Sequence, residues 1–370
     1  MALTLSFLLV LLSLNIRALA SVHTIIVGTF GTEFLYTVQY NDEEGTLSLV
    51  GRSSVEAASS WLTLSHDKTK MYGTNWNSET PTFISYDLSD WEDIKVEASI
   101  LGGGLCSGSK SIFVNAYQEP PYTVYGNYYY GNAWCSSVMS VHENGTLDRI
   151  IQEYVYSPGS AVHGTAFSPN GEFMFSTDTL GNLIWTHRID PKTGILSNLS
   201  KIRGPEEGSG PRHATTDYSG THLYVVFEEA SLVGQYSILE NGTLVFDAQY
   251  SLLPEGADPT DYWADEVSLS PSEKYLWASN RAHNISQKGF ISAFELNVDG
   301  QIQEQLFLNP TTNSGGFANS VAASPYNDSI ASLTDNSTGF VEIWDITGNM
   351  LAHLDINDGE GCCANAVWLD

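Results

Sequence analysis

Basic residues, cysteines and helical periodicity are all scarce in this sequence. Fifteen Lys and Arg stand against 43 Asp and Glu, a formal charge of −28. So acidic a chain has no basic face on which to neutralise phosphates, which argues against a nucleic-acid partner. The charge also gives no long-range pull on a small anion, so any anionic ligand must be held by local Arg residues. Four cysteines are too few for a disulfide scaffold and lack zinc-ligand spacing. Cys106 and Cys135 can bridge within one repeat, whereas adjacent Cys362 and Cys363 either pair elsewhere or with each other. Without long amphipathic helical patterns, the chain reads as all-β.

What is present is a leader and a repeat. Met1 to Ala20 is apolar from Leu5 to Leu14, is interrupted by Asn15 and Arg17, and closes on Ala18-Leu19-Ala20. This reads as a cleaved signal peptide, leaving residues 21–370 as the mature domain, secreted. No second apolar run reaches spanning length, so no membrane association is expected. Sequons at Asn144, Asn198, Asn241, Asn284, Asn327 and Asn336 fit passage through a secretory pathway, and most fall at expected turns.

The repeat is a polar residue, a short apolar strand, a Ser or Asp five places on, a turn and a second strand. It runs from Arg212 to Asp217, His163 to Ser168, Asp265 to Ser270, Asn319 to Ser324 and Ser60 to Ser65. A period of about 50 residues marks an array, so 370 residues make one domain here and not two. At 42% hydrophobic and 12% aromatic residues, the material for a core is ample.

Taken in order, Thr24 to Thr29, Phe34 to Tyr40 and Leu47 to Val50 alternate as strands, and four more follow between Trp61 and Ile100. The unit from Gly102 to Tyr156 is less regular. Ser111 to Asn115 reads as its second strand, followed by a Tyr-rich loop, Tyr117 to Tyr130, over one face, either a pocket wall or a self-packed surface loop. Units beginning at His163, Arg212, Asp265 and Asn319 are cleaner, and Asn365 to Asp370 repeats the offset once more. The last stretch therefore supplies a first strand to the three at the N-terminus. The expected architecture is a seven-bladed β-propeller closed by pairing a C-terminal strand with the N-terminal blade, which leaves no long sheet edge exposed.

First strands of propeller blades line the central channel, so their leading residues converge: Ser60, His163, Arg212, Asp265, Asn319 and Asn365. A second column at the end of the second strands reads Asn75, Asp178, Glu228 and Asn280, with Arg281 beside it and Asp335 displaced by one. Two Arg, a His and a Glu in one hollow combine anion binding with proton donor and acceptor.

The segments "HGTAFSPNGEFMFSTD", "GPRHA" through "LYVVFE", and "SLSPSEKYLWASNRAH" resemble the seven-bladed propeller lactonases, which include 6-phosphogluconolactonase-like enzymes and the eukaryotic carboxy-cis,cis-muconate cyclases. Where family members carry Asn-Glu-Leu, this chain has Phe227-Glu228-Glu229. The resemblance implies a cofactor-free cyclase or lactonase interconverting a muconate-like acid and its lactone. It implies His163 and Glu228 as acid and base, Arg212 and Arg281 as clamps for substrate carboxylates, and His213 and His283 as supporting groups. The expected partner is a small anionic lactone or polycarboxylate. Two alternatives remain open: a metal-dependent lactonase using Glu228, Asn280 and Asp335, and a non-catalytic secreted binding propeller.

Overall fold

The computed structural model describes residues 21–102, 104–130, 134–356 and 361–370. The proposed leader, residues 1–20, lies outside them. The described residues build seven four-stranded antiparallel sheets. The innermost strands are Cys362–Trp368 in blade 1, Leu62–Leu64 in blade 2, Lys110–Ala116 in blade 3 and Val162–Phe167 in blade 4. Pro211–Thr216, Tyr262–Leu269 and Val321–Ala323 do the same for blades 5, 6 and 7. Each of these seven strands touches the next around the centre, and the last touches the first, so the ring is closed.

Closure works as expected. Cys362–Trp368 pairs with Val22–Thr29, setting Trp368 against Ile25 and Ala366 against Val27. Asn365 continues the circle by donating from Nδ2 to the Leu62 carbonyl at 3.2 Å.

The recurring Ser or Asp has a local cause. Ser65, Ser168 and Ser270 accept through Oγ from the backbone N–H of Lys70, Phe173 and Tyr275 at 3.0, 2.9 and 3.1 Å. Asp217 accepts from His222 N–H at 2.9 Å. In each case the side chain pins the first residue of the second strand, five positions later, and so fixes the turn between the two innermost strands.

Second strands are covered on both faces by neighbouring blades, which is why His222–Phe227 (HLYVVF) is buried throughout and does not alternate. Fourth strands sit at the rim and do alternate, as in Leu196–Arg203. The core is a set of inter-blade layers; Phe175 and Ile184 of blade 4, for example, pack with Val225, Phe227 and Leu232 of blade 5. Each such side chain contributes roughly 1.5–3 kcal/mol by leaving water.

Blade 3 differs from the sequence reading. Lys110–Ala116 is its first strand, not its second, and Val124–Tyr129 forms a strand within the stretch read as a loop. The leading residue of this blade is the apolar Ile112, and Tyr117 stands five places on where other blades have Ser or Asp. The signature used to count strands is therefore missing here.

Cys362 and Cys363 are bonded to each other. Cys135 is also disulfide-bonded, and the side chain of Cys106 lies outside the described residues. Asn144, Asn198, Asn241, Asn284 and Asn327 are exposed, whereas Asn336 is half-buried and donates to the Gly361 carbonyl at 3.1 Å. Among the described residues no helix is long and apolar enough to cross a membrane.

Candidate active site

The candidate site is built from two structural positions per blade. The first is a β-bulge on the innermost strand. Register slips between Ser111 and Phe113, Val162 and Gly164, and Pro211 and His213, leaving Ile112, His163 and Arg212 out of the ladder. In blade 6 the slip spans Ala264 to Val267 and frees both Asp265 and Glu266. A bulged residue is turned off the sheet axis, here toward the ring centre.

The second position lies one residue beyond the partner of the strand start. Val162 pairs with Asp178, Pro211 with Phe227 and Ala264 with Asn280, so Thr179, Glu228 and Arg281 are equivalent. Tyr129 takes this place in blade 3, where Ser111 pairs with Tyr128. This corrects the second column. Glu228 and Arg281 share a row, and Asp178, Asn280 and Asp335 form a different one that caps strand ends. Asp178 accepts from the N–H groups of Ala161 and Gly181, and Asp335 from those of Gly315 and Thr338. Asn280 accepts from Phe290 N–H and donates to the Leu252 carbonyl. The oxygens of Asn280 and Asp335 thus serve the backbone and do not join Glu228. Among the described residues no group of three or more His, Cys, Asp or Glu is arranged to hold a metal ion.

His163, Arg212, Glu228 and Arg281 all line one cavity of about 210 Å³. Its wall is aromatic: Phe30, Trp76, Tyr129, Tyr130, Trp263 and Phe317. Phe30 stands edge-on to Trp76 at 5.6 Å, and Tyr129 edge-on to His163 at 5.3 Å. A volume of this size matches a small molecule.

The polar floor is tightly interlocked. Arg281 donates from Nη2 to Glu228 Oε1 and from Nη1 to the Phe317 carbonyl, both at 2.5 Å, and stacks over Trp263 at 5.1 Å. Arg212 is 4% exposed; its Nη1 donates to the carbonyl of Asp265 and forms an ion pair with the Asp265 carboxylate, and its Nε lies 3.6 Å from Glu228 Oε2. Two guanidinium groups therefore face two carboxylates. Neither Nε makes a hydrogen bond; both are buried, that of Arg212 facing Glu228 and that of Arg281 lying 3.9 Å from Asp265 Oδ2. Of the residues in this network, Asp265 stood in the first column without an assigned role.

A family model, "Lactonase, 7-bladed beta-propeller", matches residues 24–316. The chain belongs to the seven-bladed β-propeller lactonase family. It is 30% identical to the carboxy-cis,cis-muconate cyclase of Neurospora crassa over 94% of this chain and 99% of that one. It is 26% identical to muconate cycloisomerase 1 of Cutaneotrichosporon cutaneum, covering 87% of this chain and 90% of that protein. In three dimensions it superposes on a periplasmic gluconolactonase from Pseudomonas aeruginosa with a TM-score of 0.77 at 17% identity, covering 95% and 99% of the two chains.

In this lactonase-family propeller the two adjacent channel histidines are held toward the neutral form. Burial, reinforced by the Arg212 guanidinium, holds both His163 and His213 well below the usual histidine range. Burial and the neighbouring Glu228 push Glu229 up at the cavity edge. Burial tends to raise Asp265, but Arg212 and Arg281 outweigh it and hold the carboxyl below its ordinary value.

The two supporting histidines separate. His213 lies one layer below the cavity, its Nε2 2.8 Å from Nδ1 of His163. His283 is exposed, with its ring centre 3.6 Å from that of Trp263, and does not line the cavity. Of the aromatic wall, sequence reading reached only the Tyr-rich stretch that supplies Tyr129 and Tyr130; it missed Phe30, Trp76, Trp263, Phe317 and Glu266. Trp76 and Tyr129 stand in the row that also holds Glu228 and Arg281, Tyr129 as the last residue of its second strand and Trp76 two places beyond its own.

Proposed function

We propose that this propeller is a cyclase/lactonase that interconverts a carboxylated muconate-like acid and its lactone by acid–base chemistry at the channel mouth. The observation that supports the reading most is the convergence of His163 and the bridged Arg212–Glu228–Arg281 set on one small aromatic-walled cavity. In the cyclising direction a substrate carboxylate oxygen bonds to one alkene carbon, and the π pair takes a proton at the other. His163, whose Nδ1 is engaged by His213, offers Nε2 as the group facing that carbon. Arg212 and Arg281, which both line the cavity, attract and hold the remaining carboxylates by their charge. The reverse reaction retraces this path, His163 Nε2 taking the proton back from the same carbon, while Glu228 orients the two guanidiniums between which it lies. With Glu228 as base, a water would attack the lactone carbonyl, the acyl C–O bond would break and the ring oxygen would leave as a hydroxyl protonated by His163; that hydrolysis is the second reading.

The purified protein, offered 3-carboxy-cis,cis-muconate and a panel of carboxylated lactones, is expected to consume the diene or open a lactone. Turnover of none of them overturns the proposal.

We also propose that the protein is secreted and glycosylated. Support comes from the apolar leader, from five exposed sequons and from disulfide-bonded cysteines, which persist in oxidising compartments. Secretory expression should yield protein in the medium whose mass drops on endoglycosidase treatment; retention in the cell with no glycan counts against it.

A further inference from the structure

Behind His163 a line of hydrogen bonds leaves the cavity through its floor. His163 Nδ1 meets His213 Nε2 at 2.8 Å, and His213 Nδ1 meets Glu266 Oε2, also at 2.8 Å. His163 is the bulged residue of blade 4, His213 directly follows the bulged Arg212 of blade 5, and Glu266 directly follows Asp265 in the double slip of blade 6. Trp61 and Phe113 pack against the His213 ring at 4.4 and 5.1 Å. His213 and Glu266 in turn line a second hollow of about 300 Å³, walled by later residues of the innermost strands such as Thr165, Thr216 and Leu269. That hollow occupies the channel on the far side of the histidine pair from the mouth.

We propose that Glu266 is the source of the proton His163 delivers to the substrate, passed through His213, and that the far hollow is where solvent restores it. The inference rests on the reading of His163 as the acid of the mouth. It resolves a difficulty in that reading. A neutral buried imidazole is a very weak acid, because losing its N–H leaves an imidazolate, and the charged imidazolium is disfavoured here by burial and by Arg212.

The chain of three removes the difficulty. Burial holds Glu266 well above the usual carboxylate range, so it enters as a carboxylic acid. Its O–H donates to His213 Nδ1, His213 Nε2–H donates to His163 Nδ1, and His163 Nε2–H faces the cavity. When Nε2–H passes to the substrate carbon, each remaining proton moves one hydrogen bond along. Both histidines end as neutral Nδ1–H tautomers, and Glu266 ends as a carboxylate. The charge thus appears on the acid and never on a ring. It appears beside Arg212, whose Nη1 is 3.2 Å from His213 Nδ1. The other charged groups acting on the line are Asp265 on Glu266 and His213, and Arg281 on both rings.

The first test needs no substrate. In the full-length protein labelled with ¹⁵N-histidine, raising the pH through deprotonation of Glu266 should switch both His213 and His163 together from the Nε2–H to the Nδ1–H tautomer. No imidazolium should form on either ring. In Glu266→Gln the side-chain amide keeps donating to His213, and both rings should stay Nε2–H at every pH. Independent imidazolium titrations in the wild type, or a tautomer switch that persists in the variant, would overturn the relay.

The second test uses turnover of 3-carboxy-cis,cis-muconate. Glu266→Gln should lower kcat about 100-fold or more with KM within a few-fold of wild type, and should lose the alkaline limb of the kcat–pH profile. An active wild type with an equally active variant ends the relay. A wild type inactive on every substrate refutes the cyclase/lactonase reading instead, and the tautomer measurement then decides the relay by itself.

Discussion

Arg281 and Glu228 meet across neighbouring blades, Nη2 donating to Oε1 at 2.5 Å over a separation of 53 positions. The other oxygen of the same carboxylate lies 3.6 Å from Arg212 Nε, so one acidic side chain spans both cations. Glu228→Gln keeps the shape and removes the charge, leaving positive excess at the cavity. A small tricarboxylate should then bind on the order of tenfold more tightly by calorimetry, about 1.4 kcal/mol, while turnover falls about 100-fold. Weaker or unchanged binding would show that Glu228 does not compete with the substrate for the guanidiniums.

Arg212→Lys separates charge from geometry. Lysine retains the cation but not the planar fork that spans Asp265 and Glu228. The variant should lose at least about 100-fold in kcat/KM. Stability in urea should fall by roughly 3 kcal/mol, because the fully buried Asp265 loses its best partner. Wild-type kinetics in a folded variant would remove Arg212 from the site.

Gly164 stands where blades 4 and 5 approach each other. A Cβ there would lie 2.6 Å from the Arg212 carbonyl oxygen and 2.7 Å from Cδ2 of His213. Gly164→Ala must move the backbone of Arg212 or tilt His213 away from His163, at a cost of about 1–3 kcal/mol. Denaturation should record that loss together with a lower kcat, whereas an alanine without effect on either would mean that the two blades can separate freely.

Acid should weaken the fold through its buried histidines. His187 is completely buried against Tyr154 and Tyr156, and burial lowers its pKa to about 4. An unfolded histidine titrates near 6.5. Between these values the unfolded chain takes up a proton that the folded chain refuses, so stability declines as pH falls through that window. From pH 7 to pH 5 the contribution amounts to about 2 kcal/mol, and His163 and His213 act in the same direction. In His187→Leu, urea titrations at the two pH values should show a correspondingly smaller drop. An equal drop would mean that His187 is already protonated in the folded protein.

Most of this architecture was readable because its punctuation is chemical. Ser65, Ser168, Asp217 and Ser270 mark strand starts by a side-chain hydrogen bond that recurs at a fixed distance along the chain. Blade 3 resisted because Ile112 and Tyr117 occupy those places and carry no polar mark. Arg212, His163, Glu228 and Arg281 were legible as a group once the ring was inferred. The row holding Glu228 was displaced by one in the sequence reading because bulges insert a residue without a trace in the hydrophobic pattern. Glu266 escaped for the same reason: a double slip at Asp265 and Glu266 buries a second acid where alternation places a strand residue facing a neighbour. The aromatic wall, drawn from Phe30 to Phe317, depends on circular proximity that no local window contains.

Joining Cys362–Trp368 to Val22–Thr29 also has a consequence for biosynthesis. The hydrogen-bonding edge of residues 22–29 leaves the ribosome long before its partner and is covered only once residues 362–368 have been made. At roughly 5–20 residues per second that interval lasts on the order of tens of seconds. Throughout it the nascent chain carries an open, apolar ribbon, and a chaperone or a neighbouring nascent copy is the nearest thing able to cover it.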